Sequence, residues 1–132
     1  MKFTLLTQAA LAIPFITGAI ATPTPDGSEV KRADCSLTVR YVKDWVESGL
    51  DRYRMWLITN PRNDRHLDIF CNYAKNSVGL SHNPQCFWEN NAYYIDRSVA
   101  RGPAGHNTIM TETGNLCDWY EYETGCRAIR EF

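Results

Sequence analysis

The chain has 132 residues, 44% of them hydrophobic, with five cysteines and a formal net charge of −1. A near-neutral balance argues against a protein that coats nucleic acid, which is normally basic, and offers no long-range steering toward acidic substrates.

The N-terminus reads as a secretory signal. Lys2 supplies the positive start, Leu5–Ile20 the apolar run, and Ala19-Ile20-Ala21 a small-x-small cleavage signature, which places cleavage after Ala21. The run is short and broken by Pro14, so a signal fits it better than a membrane anchor. No later stretch is apolar enough to span a bilayer. Thr22–Arg32 is proline-rich and polar and ends in Lys31-Arg32, a kexin-type dibasic processing site at the boundary with the cysteine-bearing region. The mature domain is then Ala33–Phe132, a single domain large enough for a modest core helped by disulfides. Removing the leader takes away Lys2, Lys31 and Arg32 against Asp26 and Glu29, so the remainder is slightly acidic.

Within Cys35–Val46, Leu37, Val39 and Tyr41 alternate with Thr38 and Arg40, the period of a half-buried strand. The alternation slips at Tyr41-Val42, which predicts a bulge or bend, and Glu47-Ser48-Gly49 predicts a turn. Tyr53–Thr59 sets Tyr53, Met55 and Leu57 on one face and Arg54, Trp56 and Ile58 on the other, a central strand between core and partner. Asn60–Asp64 is turn-like. His66–Tyr73 reads as a strand with Leu67, Ile69, Cys71 and Tyr73 on one face, followed by a loop over Ala74–Gln85. Cys86–Arg97 resumes strand character around a turn or bulge at Glu89–Asn91. His106–Thr113, Cys117–Glu123 and Cys126–Phe132 complete the series, with turns at Arg101–Gly105, Thr113–Asn115 and Thr124-Gly125. Short strands at this spacing predict an all-β domain, a small disulfide-stapled antiparallel barrel or sandwich.

Sequence does not fix cysteine connectivity, but local spacing favours Cys71–Cys86 across the loop and Cys117–Cys126 across a terminal hairpin. Cys35 is then the odd thiol, exposed near the mature N-terminus and available for an intermolecular disulfide in a homodimer. No C-x-x-C pair suggests a zinc site, and no other cofactor is implied.

The run Leu67-Asp68-Ile69-Phe70-Cys71, the segment Cys86, Glu89-Asn90 and Asp96-Arg97-Ser98, the late Cys117 and Cys126 and the early single Cys35 together resemble the major-allergen family of Alternaria and its fungal relatives, the AA-one-like effectors. The resemblance implies a compact β barrel, often a disulfide-linked dimer, with a secreted, non-enzymatic role at the plant–fungus interface. It implies as partner a host plant protein or a small aromatic ligand, with defence modulated or elicited.

Catalytic motifs are sparse. His66 or His106, Glu89 and Arg97 or Arg101 supply the residue types of a small secreted ribonuclease, but nothing in their spacing brings them together. An antimicrobial or killer-toxin-like protein is a further alternative. The aromatic residues are the stronger feature. Trp88, Tyr93, Trp119, Tyr120 and Tyr122, rimmed by Arg97 and Arg101, form the expected binding surface, because a small core cannot bury every ring and Trp and Tyr anchor interfaces.

Overall fold

The computed structural model describes residues 34–77 and 79–132; the expected cleavage after Ala21 and the processing site at Lys31-Arg32 lie outside them. The element order is β1 (Ser36–Glu47), β2 (Leu50–Asn60), α1 (Asp64–Asn76), β3 (His82–Glu89), β4 (Ala92–Val99), α2 (Pro103–Thr124) and β5 (Arg127–Glu131). The strands form one sheet in the order β3-β4-β2-β1-β5. All pairs are antiparallel except β1/β5, which is parallel.

Two hairpins build most of this sheet. Ser48 and Gly49 (φ 54° and 79°) connect the paired Glu47 and Leu50, and Asn90 and Asn91 (φ 53° and 67°) connect Glu89 and Ala92. Two successive positive φ values are the geometry whose twist matches the flanking strands, and Gly and Asn tolerate it. The expected bulge is present: the β1/β2 register shifts between Tyr41 and Lys43.

The segment His66–Tyr73 is helical rather than extended. Asn63 caps α1, its side-chain oxygen accepting from the His66 N–H at 3.1 Å. The residues that α1 buries are Leu67, Phe70, Cys71 and Ala74, at i, i+3, i+4 and i+7. The period-two reading placed Ile69 and Tyr73 among them, and both are only half-buried. The two strands expected over His106–Thr113 and Cys117–Glu123 are a single 22-residue helix. Pro103 begins α2, and Gly125, at φ 76°, ends it with its N–H donating to the Glu121 carbonyl. Gly105, Ile109, Thr113, Leu116, Cys117 and Tyr120 form its buried stripe.

The fold is therefore mainly β but not all-β, and its sheet is an open mixed sheet. One sheet face carries Leu37, Val39, Met55, Leu57 and Ile95. It packs with Leu67 and Phe70 of α1 and with Leu116 and Tyr120 of α2 in the main core.

Two disulfides tie the layers together. Cys71–Cys86 is formed as expected from the spacing, but it joins α1 to β3 rather than stapling a hairpin. The second bond is Cys35–Cys126, not Cys117–Cys126. The reason is topological: β5 runs parallel to β1, so the residues preceding both strands meet, and the Arg127 N–H donates to the Cys35 carbonyl at 3.1 Å. Cys117 lies inside α2, fully buried, as a free thiol that burial pushes up to about 11. Cys35 is consumed within the chain and does not supply the intermolecular link expected of it.

Candidate functional site: the open face of the sheet

Alternation along each strand sends successive side chains to opposite faces. The face away from the packed core carries Thr38, Arg40, Lys43 and Trp45 of β1, Arg52, Arg54, Trp56 and Ile58 of β2, Tyr94, Asp96 and Ser98 of β4, and Gln85, Phe87 and Glu89 of β3. Trp45, Trp56, Phe87 and Tyr94 are neither buried nor fully exposed.

Arg54 is the centre of this layer. Its guanidinium lies 5.4 Å from the Trp45 ring, 5.0 Å from Phe87 and 5.1 Å from Tyr94. It also donates twice to Asp96, at 2.9 Å from both Nε and Nη2, and approaches Glu89 at 3.8 Å. The bond to Asp96 raises the guanidinium's pKa further, against the opposing effect of burial. Toward β5, Arg40 sits 5.2 Å over Trp56 and pairs with Glu131. Trp56 and Tyr94 face each other at 6.5 Å, and Phe87 and Tyr94 at 5.9 Å. At the other end Lys43 lies 5.3 Å over Trp45, whose indole N–H donates to Glu47. A guanidinium over a ring face is attracted by the ring's electron cloud, and the Arg54–Asp96 bonds fix the cation among its three rings. The result is a pre-ordered array of rings and cations.

Arg52, on the same face, flanks the array. It is buried and donates to Ser98 Oγ at 2.7 Å, to Gln85 Oε1 at 2.8 Å and to the Asn83 carbonyl at 3.0 Å. These bonds fasten the start of β3, where the β3/β4 register shifts between His82 and Gln85.

The residues expected to form the binding surface do not come together. Tyr93 and Tyr120 are buried in the core, and Arg97 is buried as well, because alternation on β4 puts it on the helix-packed face with Tyr93 and Ile95. Trp119 is half-buried and stacked on Tyr73, with ring centroids 3.7 Å apart. Trp88 is exposed beneath the Arg62 guanidinium, Tyr122 is exposed on α2, and Arg101 is exposed at 3.7 Å from Asp51. The missed residues are Arg40, Arg54, Trp45, Trp56, Phe87 and Tyr94. Their signal was the two-faced strand Tyr53–Thr59, whose outer face already carried Arg54 and Trp56.

The histidines are held apart. His66 Nδ1 lies 3.0 Å from the Tyr120 hydroxyl, while His106 Nδ1 lies 3.1 Å from that of Tyr53. Tyr120 and His106 sit at opposite ends of α2, about 20 Å apart at the helical rise per residue. Burial, helped by the charge of Arg65, lowers the pKa of His66. Among the described residues no group of three or more His, Cys, Asp or Glu side chains is placed to hold a metal ion, and no helix is long and apolar enough to cross a membrane.

Comparison of the chain with known protein families, with curated proteins and with solved structures finds no match.

Proposed function

We propose that this chain is a secreted, non-catalytic binding protein that recognises its partner through the open face of the sheet. The observation that carries this reading is the Arg54-centred array: Trp, Tyr and Arg, the residue types that dominate binding hot spots, gathered on the face opposite the packed core. Aromatic rings pre-ordered by cations lose little side-chain freedom on binding, which favours affinity. Two disulfides are compatible with an oxidising extracellular compartment, in keeping with the signal-like N-terminus. A host plant protein is the partner we assign. That assignment comes from the resemblance to the fungal effector family; the chain forms the expected Cys71–Cys86 bond but pairs Cys126 with Cys35 rather than with Cys117.

Affinity capture tests the reading. The immobilised wild-type protein should retain a plant extracellular protein that Trp56→Ser loses and that Tyr122→Ser, altered on α2, keeps. Equal retention by all three proteins, or retention by none, contradicts it.

A further inference from the structure

On the helix side of the sheet, away from the aromatic array, a pocket of about 150 Å³ lies among α1, α2 and β4. Arg97, Glu112, Tyr73, Leu116, Ser81 and Asn115 line it. Arg97 is only 2% exposed. Its Nη2 donates to the Thr113 hydroxyl, while among the described residues its Nε has no hydrogen-bond partner. Among the described residues no carboxylate lies within 4.0 Å of this guanidinium. A buried charge without a paired counter-ion is unfavourable, and burial holds this guanidinium down at about 10.

Glu112 lines the same pocket but is occupied by the loop before β3. It accepts from the backbone N–H groups of Leu80 and Ser81 at 2.6 and 3.2 Å. The charge of Glu112 favours the charged guanidinium without forming an ion pair with it, so among the described residues the Arg97 Nε stays open to a second anion. The site also has a rigid apolar wall, since Tyr73 is fixed by stacking on Trp119. A planar guanidinium fork matches a carboxylate in shape and charge, and a cavity of about this volume can take a benzene-sized body. The charge of Glu112 disfavours a dianion, while its remaining lone pairs could accept from an ammonium group.

We propose that the Arg97 pocket binds the carboxylate group of a small organic acid, with Arg97 as its ionic partner and Tyr73 and Leu116 against its apolar body.

The test is titration of the full-length protein with benzoate, acetate, alanine and inorganic phosphate, monitored by ligand-observed NMR. Saturable binding of at least one carboxylate, weakened at least about tenfold by Arg97→Gln and by the pocket-filling Asn115→Trp, supports the proposal. Benzoate or acetate binding without alanine identifies simple acids as the ligand class, and preferential alanine binding identifies amino acids. If Arg97→Gln does not fold, Asn115→Trp decides alone. The absence of saturable binding at about 10 mM, phosphate binding as tight as that of any carboxylate, or unchanged binding in the folded variants overturns it.

Discussion

Three arginines of the sheet show how environment assigns a role to one residue type. Arg52 is buried and shares its donors among a hydroxyl, an amide and carbonyl oxygens; its work is to hold β3 in place. Arg54 is partly exposed, doubly bonded to Asp96 and surrounded by rings; it organises the open face. Arg97 is buried, and among the described residues no carboxylate forms an ion pair with it. Near it, burial alone would raise the pKa of Glu112, but hydrogen bonds from Ser81 and Leu80 and the charge of Arg97 outweigh it and hold the carboxyl below its usual value. A carboxyl depressed in the folded state contributes stability at pH values above its unfolded pKa, and that contribution is lost as pH falls through the folded value. Glu112→Gln should therefore cost about 1 kcal/mol at pH 7, and the gap to wild type should close as urea melts are taken to pH 3 and below. A gap that persists unchanged into acid would show that the charge of Glu112 does not hold the loop.

Among the elements, α2 depends on one close contact. A Cβ at Gly105 would lie 1.6 Å from the carbonyl oxygen of Ala100, a backbone atom that cannot rotate away. Helix propensity alone favours Ala over Gly by about 1 kcal/mol, so the sign of the substitution separates propensity from packing. Gly105→Ala should destabilise by roughly 2 kcal/mol or more in thermal or denaturant unfolding; stabilisation would mean that α2 does not approach Ala100 so closely. The same helix shows why the helical part of the fold was hard to read. Its interior holds Thr111, Thr113, Gly114 and Asn115, poor helix formers that mimic a turn, and its stripe includes a glycine and a threonine in place of large apolar residues. Thr113 sits comfortably there because its hydroxyl donates to the Ile109 carbonyl at 2.6 Å. In α1 the helical set Leu67, Phe70, Cys71 and Ala74 was visible, but so was an alternating set through Ile69 and Tyr73. Asn63, read as part of a turn, was the cap that decided between them. The strands β1 and β2 and the turn between them were legible because alternation and turn chemistry agreed there, whereas Cys86–Arg97 reads as one strand-like run with a turn or bulge at Glu89–Asn91 that is in fact the β3/β4 hairpin turn. Arg97 sits at an inward position on β4, although its charge argues for a rim residue.

At the scale of the whole molecule, a parallel β5 beside β1 brings Cys35 and Cys126 together. The Cys35–Cys126 bond spans 91 residues and the Cys71–Cys86 bond 15. In the chain-entropy description these closures are worth roughly 4–5 and about 3 kcal/mol. Cys35→Ser should therefore destabilise the protein more than Cys71→Ser in denaturant melts, and the wild type should migrate as a monomer on gels with and without reductant. A stable, wild-type-like Cys35→Ser variant would restore the Cys117–Cys126 pairing. With both ends of the chain's described part fastened, the two helices pack against one face and the Arg54 array occupies the other. Oxidative footprinting of aromatic side chains, with and without plant extracellular proteins, tests the role of that face most directly. Binding through it predicts protection of Trp45, Trp56, Phe87 and Tyr94 with Tyr122 unchanged. Protection confined to Tyr122 and Trp88, or none anywhere, would contradict it.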